Sequence, residues 1–415
     1  MDLLYPIAKK VVTRLQQAGF IAYFAGGFVR DHLMGRSADD IDIATSASVE
    51  EIQALFSKTI PIGIAFGIVI VVEEEKPFEV ATFRKDRDYF DGRRPSGFDP
   101  TTPEEDALRR DFTINGLFYD PLQEKVYDFV GGVADIERGI IRAIGDPHLR
   151  FAEDRLRMMR AVRYATRFDF PIDEKTEEAI LSHASELMSC VAIERIWQEF
   201  KKMAHFGHFD KGLAQLHRLT LLPEIFPELK GVSLEEIERR LSCIPKFPKE
   251  APAFALLLEL FPGHSLKEVL LLADTLKLSK AESAFALFHQ KTKALFSMPS
   301  AWQDNLEKME WAQFYANPFS PLCLSLLEAH LEQEEKESFA RENERRQQQL
   351  GEAISRIQTK NPYIRASDLM QEGIVPGELL GKLLDEAIRI AINEDLHQKE
   401  EILKRLKKCP LWPGG

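Results

Sequence analysis

The run Ala25-Gly26-Gly27-Phe28-Val29-Arg30-Asp31 is followed about a dozen residues later by Asp40-Ile41-Asp42. A glycine pair lets backbone N–H groups come close to a phosphate, and Arg30 adds a fixed cation. Two acids spaced i,i+2 on a strand share one face and can hold divalent metal between them. Either piece alone reads more readily as a turn or a solvated strand end than as chemistry. In this order and spacing they describe chemistry on a triphosphate, nucleotidyl transfer with Mg²⁺ as the metal.

Further residues extend the pattern. Glu79, in the strand-like run Phe78-Glu79-Val80-Ala81-Thr82, is either a third metal ligand or a half-exposed strand residue paired with a cation. The run from Arg109 to Asn115 offers Arg110 to a triphosphate and the Asn115 amide to a ribose hydroxyl; a surface salt-bridge cluster is the other reading. A denser stretch runs from Glu153 to Tyr164. On one helix, Asp154, Arg157 and Arg160 fall on a single stripe, with Leu156, Met159 and Val162 toward a core and Arg163 beside the stripe. These arginines exceed what Glu153 and Asp154 neutralise, which favours an anionic ligand. Asp154 and Arg157 also suggest base selection. A carboxylate accepts from an exocyclic amino group while a guanidinium donates to the neighbouring ring acceptor, so one pair accepts cytosine and adenine and rejects uracil and guanine.

The elements that must carry these residues change character along the chain. An amphipathic first helix with Leu4, Ile7, Val11 and Leu15 on one face ends at Gly19 and reads as structure rather than a signal peptide. A strand at Ile21 to Ala25, a short helix ending near Gly35 and a strand at Asp40 to Ala44 follow. Ser48 and Glu51 form a capping box for another helix. Strands are expected at Phe66 to Val72 and Phe78 to Phe83. Arg84 to Pro95, rich in Gly, Pro and alternating charge, is either a lever beside the site or a plain hairpin. From Phe151 onward amphipathic helices dominate, and Glu332 to Arg346 reads as a solvated helix.

Composition narrows the class. With 54 Lys+Arg against 66 Asp+Glu the formal charge is -12, so nucleic acid would be bound through a local patch. Cys190, Cys243, Cys323 and Cys409 form neither a CxxC pair nor a disulfide framework, which suits a reducing, cytoplasmic setting. No apolar run is long enough for a membrane span. His205 and His208 read as structural or solvent-facing.

The successive runs Gly26–Asp31, Asp40–Thr45, Arg109–Gly116, Glu153–Ala165 and Glu194–Met203 closely resemble the motifs of the class II tRNA nucleotidyltransferases. That family groups CCA-adding enzymes, their partial-activity relatives and bacterial poly(A) polymerases. The resemblance implies an α/β head with a polymerase-beta-like nucleotidyltransferase sheet and flanking helices, then an all-α neck, body and tail. The corresponding spans are 1–145, 146–210, 211–330 and 331–415, the last two holding RNA. It also implies that Gly26, Gly27 and Arg30 meet the nucleotide's phosphates and that Asp40 and Asp42 bind Mg²⁺. Arg110 and Asn115 would contact triphosphate and ribose, Asp154 and Arg157 would select the base, and Arg160 and Arg163 would complete the pocket. The expected partners are the tRNA 3′ end, CTP and ATP, with no obligate protein partner. Addition of A alone and polyadenylation remain alternatives within the family, and an idle RNA-binding module outside it. The chain departs from the family pattern at Gly116, where alanine is usual, and at Ser96-Gly97-Phe98-Asp99-Pro100 after the loop.

Overall fold

The computed structural model describes residues 4–38, 40–62, 66–86, 97–298 and 305–413, so most of the loop from Arg84 to Pro95 lies outside the described residues. The chain forms two compact units, Met1–Pro245 and Lys246–Gly415. The boundary falls inside the stretch 211–330 expected above to be one helical body.

In the first unit, α1 (Leu4–Gln17) packs Ile7, Ala8, Val11, Val12 and Leu15 against the sheet, as its period requires. The strands are β1 (Ala22–Ala25), β2 (Asp42–Thr45), β3 (Thr59–Ile60), β4 (Ile68–Glu73), β5 (Lys76–Thr82), β6 (Arg84–Asp86), β7 (Phe98–Pro100), β8 (Leu117–Asp120) and β9 (Lys125–Asp128). Seven of them form one sheet in the order β3-β4-β5-β2-β1-β8-β9, and β6 pairs with β7 as a separate hairpin. Only the β2–β5 pairing in the large sheet is parallel. Between the strands lie α2 (Gly27–Leu33), α3 (Val49–Leu55) and α4 (Pro103–Leu108). The Ser48–Glu51 capping box opens α3 as expected.

Strand alternation gives the sheet two unlike faces. Phe24, Ile43, Val69, Val71, Phe78 and Val80 enter the large core with α1 and α3. The opposite face carries Ala25, Ala44, Phe83 and Phe118 with Ala107 of α4. Small residues there leave room above the sheet, and that room is where the cleft lies.

After β9 come α5 (Gly132–Arg138), α6 (Pro147–Glu153), α7 (Leu156–Phe168), α8 (Glu174–His183), α9 (Leu187–Cys190) and α10 (Ile193–Ala204). Two expectations are corrected here. Strand β2 begins at Asp42, so Asp40 sits just before the strand rather than on it. The stretch from Glu153 to Tyr164 is not one helix. Helix α6 ends at Glu153, Asp154 is extended (φ −152°, ψ 106°) and α7 starts at Leu156. The Asp154 carboxylate accepts the Leu156 N–H at 3.1 Å, a local bond that competes with helix continuation. The second unit is helical, with no strand among its described residues; the charged stretch forms the helix Gln333–Gln349.

The Gly116 departure has a packing cause. Its φ of −87° suits any residue, but a Cβ there would lie 2.7 Å from Val130 Cγ2 and 3.1 Å from Ile144 Cδ1. Gly116→Ala is therefore expected to cost about 1–3 kcal/mol by overpacking, with part regained in Gly116→Ala/Val130→Ala. Urea denaturation of the two variants checks this; an unchanged midpoint for Gly116→Ala would contradict the packing account.

Candidate active site

Sheet register sets the acidic wall. Ala25 pairs with Asp42 across β1 and β2, which brings the Gly26–Gly27 turn beside the Asp42 carboxylate. Ile43 pairs with Val80 in the parallel β2–β5 ladder, so Asp42 and Glu79 sit side by side, one residue earlier on each strand. Gly26 has φ +63°, and its N–H donates to the Leu117 carbonyl at 3.0 Å. A Cβ at Gly26 would lie 3.0 Å from Arg110 Nη1, so glycine serves both the turn and the close approach of that guanidinium.

Gly26, Gly27, Arg30, Asp40, Asp42, Glu79, Arg110, Asn115, Asp154, Arg157 and Arg160 all line one cleft of about 520 Å³, within the range of small-molecule sites. Eight arginines and five acidic residues face it. That balance suits a polyanion. Arg163 is the one expected site residue outside the lining. It is buried behind the cleft, donating from Nε to Glu199 at 2.5 Å with its guanidinium 4.2 Å from the centre of the Tyr164 ring.

The arginines are aimed by buried carboxylates. Arg30 donates from Nε and Nη2 to Asp31 at 2.9 and 3.0 Å and from Nη1 to Asn115 Oδ1 at 2.5 Å. Arg167 donates to the same Asp31 at 3.0 Å. The other end of the Asn115 amide donates to Asp111 Oδ1 at 3.0 Å, and Arg160 Nε donates to Asp111 Oδ2 at 2.8 Å. Burial acts to raise the Asp111 pKa, but Arg160 and the Asn115 hydrogen bond outweigh it and hold the carboxyl well below the usual range. Burial likewise works against ionising Tyr164, and Arg160 and Arg163 pull its phenol below its ordinary value.

Asp154 and Arg157 both reach the cleft, but each has a different partner. Asp154 accepts from Arg195 of α10 at 2.7 Å, while Arg157 donates to Glu153 and to the Arg150 carbonyl at 2.9 Å. Both side chains line the same cleft. The roles of Asp31, Asp106, Arg167 and Arg195 escaped the sequence reading. Asp106 carried a signal, three and four residues before Arg109 and Arg110; Arg195, more than a helix away from its partner, carried none.

Among the described residues no three His, Cys, Asp or Glu side chains converge tightly enough to hold a metal alone. Asp40 and Asp42 still fit a hard divalent cation that takes its remaining oxygens from a nucleotide and water, the usual habit of Mg²⁺. Asp42 is exposed by surface area, yet its carboxyl is partly shut off from water inside the cleft. That desolvation, then Glu79 and Asp40, push its pKa up to about 6 against the opposing pull of Arg110.

Over 410 residues the chain is 33% identical to the CCA-adding enzyme of Enterococcus faecalis, a match covering 97% of this chain and 95% of that one. The chain belongs to the CCA-adding enzyme family. It is 37% identical over 314 residues to the Bacillus subtilis CCA-adding enzyme, covering 78% of that relative. Against the family members of Lactobacillus helveticus, at 44% identity, and Pediococcus pentosaceus, at 42%, the match spans 56% and 59% of their lengths. Residues 22–142 match the family model for the Poly A polymerase head domain, and 169–232 that for the probable RNA and SrmB-binding site of polymerase A. The crystal structure of the Bacillus stearothermophilus CCA-adding enzyme in complex with CTP superposes with a TM-score of 0.77 at 28% identity, covering 98% of both chains. The Thermotoga maritima CCA-adding enzyme complexed with tRNA shares the fold, with a TM-score of 0.64 at 21% identity and coverage of 98% and 95%.

The raised Asp42 pKa has a stability consequence. A carboxyl that holds its proton up to about pH 6 when folded, against an unfolded value near about 4, stabilises the fold at low pH and loses that contribution as pH rises through 6. In the metal-free protein, Asp42→Asn is expected to raise the thermal midpoint at about pH 7.5 and leave it unchanged at about pH 4. Calorimetry in the presence of a chelator measures both, and a lowered midpoint at neutral pH would contradict the cost of an ionised Asp42 shut off from water beside Glu79 and Asp40.

Proposed function

We propose that the chain is a template-independent tRNA nucleotidyltransferase that adds C and A from CTP and ATP to complete the 3′ CCA end, releasing pyrophosphate. The observation that carries this reading is the convergence, in one cleft, of an acidic wall, an arginine array and the Asp154/Arg157 edge. The family relatives, among them the CTP complex, support it. The tRNA acceptor end is the proposed macromolecular partner and the cytoplasm the proposed place of action, consistent with four unpaired cysteines.

Asp40 and Asp42 would hold Mg²⁺, with Glu79 beside them. When bound, the metal supplies activation of the attacking hydroxyl and charge stabilisation in the in-line displacement. Arg110, held against the Gly26 turn, and Arg160 carry positive charge toward the triphosphate, and Gly26 and Gly27 leave its oxygens a close path to the backbone. Asn115, pinned between Arg30 and Asp111, presents its amide to the ribose. The 3′-hydroxyl oxygen forms the new bond to the α-phosphorus as the bond to pyrophosphate breaks. Asp154 accepts the amino group of C or A and Arg157 donates to the adjacent ring acceptor. With U or G, carboxylate would meet carbonyl and guanidinium would meet N–H, leaving two unpaired groups.

The decisive assay offers CTP and ATP, separately and together, to tRNA ending at the discriminator base, C, CC or CCA. The expected outcome is growth to CCA and arrest there. Extension from CC alone would indicate an A-adding enzyme, growth past CCA a poly(A) polymerase, and no incorporation an RNA-binding module. Asp42→Ala should abolish incorporation of both nucleotides with tRNA binding retained. Asp154→Ala and Arg157→Ala should each lower discrimination against U and G roughly 10- to 100-fold, and unchanged selectivity in both would remove the base-selection role.

A further inference from the structure

Asp106 lies on α4, is 1% exposed and does not line the cleft, yet it holds both members of the arginine pair that follows it. Its Oδ1 accepts from Arg109 Nε and Nη2 at 2.9 and 2.7 Å, and its Oδ2 from Arg110 Nε and Nη2 at 3.2 and 3.0 Å. Oδ1 also accepts the backbone N–H of Arg84 at 3.1 Å, the first residue of the β6–β7 hairpin. One buried carboxylate thus ties two adjacent guanidiniums, which would otherwise repel each other, to the root of a hairpin. A buried acid with five charge-assisted or backbone bonds is strongly ordered, and so is whatever it holds.

The consequence falls on Arg110. With Nε and Nη2 turned to Asp106, its Nη1 edge donates to the Asn115 carbonyl at 3.3 Å and occupies the space left by the missing Gly26 side chain. Gly26 follows Ala25, the register partner of Asp42, so Arg110 Nη1, 3.0 Å from where a Gly26 Cβ would lie, stands at the end of the cleft that carries Asp42.

We infer that Asp106 is a positioning residue for the phosphate end of the cleft: it acts through Arg109 and Arg110, setting the guanidinium geometry that a nucleoside triphosphate meets. The inference rests on reading this cleft as a triphosphate site. Its signature is dependence on phosphate number, because a residue that serves only the fold would weaken all nucleotides alike.

The test is equilibrium binding of CMP, CDP and CTP to the full chain, Asp106→Asn and Arg110→Ala, each corrected for the folded fraction by circular dichroism. Asparagine keeps the shape but turns an N–H₂ toward one arginine. Asp106→Asn is expected to weaken CTP about tenfold, CDP less, and CMP by under about twofold. Equal losses for the three ligands, or none, would overturn the inference. Phosphate-dependent loss in Arg110→Ala but not in Asp106→Asn would sink the positioning role alone. Absence of that dependence in both would sink the triphosphate reading of this end and the inference with it. If Asp106→Asn does not fold, Asp106→Glu, which keeps the charge but displaces both guanidiniums, carries the same comparison with the same outcomes.

Discussion

Positive charge crowded around a single cleft must be neutralised and aimed from behind, and here buried carboxylates do both. Asp31 holds Arg30 and Arg167, Asp106 holds Arg109 and Arg110, Asp111 holds Arg160, and Glu199 holds Arg163. All four acids are buried. Burying an ion pair gains little net stability over an apolar pair, but removing one partner leaves an uncompensated charge in a poor solvent for it. The lattice is therefore stiff because it is costly to break. Its benefit is geometric: the guanidiniums that line the cleft are held in fixed orientations, so little reorganisation would remain when a polyanion binds.

The sheet makes room for that lattice. One face is filled by large apolar side chains from β1, β2, β4 and β5, while the other carries alanines at 25, 44 and 81 beneath the cleft. The parallel β2–β5 contact brings Asp42 and Glu79 together, and the β1–β2 register brings the glycine turn to the same corner. Helix α7 then lays Arg157, Arg160, Tyr164 and Arg167 along the opposite wall. Asp154 stands at the break between α6 and α7, where an extended backbone lets its carboxylate reach both the Leu156 N–H and Arg195. The break is what brings this acid to the cleft lining.

Much of this was legible in the residue pattern, and the misses have physical causes. The strands that carry Asp42 and Glu79 and the capping box that opens α3 were legible because their signals are local. The single-helix reading of Glu153 to Tyr164 failed because helical periodicity does not register a side-chain bond from Asp154 to the backbone two residues on, nor a guanidinium arriving from α10. Arg30 reads from sequence as a cation open to phosphate, whereas three of its donors are turned to Asp31 and Asn115, the latter 85 residues away along the chain. Strand β8 escaped notice because Leu117–Asp120 is buried along its whole length and lacks alternation. Gly116 looked like a departure from pattern; its cause, the Val130 and Ile144 side chains, is a tertiary contact.

The central claim is that the preformed protein lattice, with no RNA template, both holds the triphosphate and chooses the base. Equilibrium binding of CTP, ATP, UTP and GTP to the RNA-free protein with Mg²⁺ tests it most directly. The account predicts that CTP and ATP bind with comparable affinity while UTP and GTP bind at least about tenfold more weakly, the cost of leaving a buried donor and acceptor unpaired. Equal affinity for all four nucleotides would contradict it and move the choice of base from the protein to the RNA.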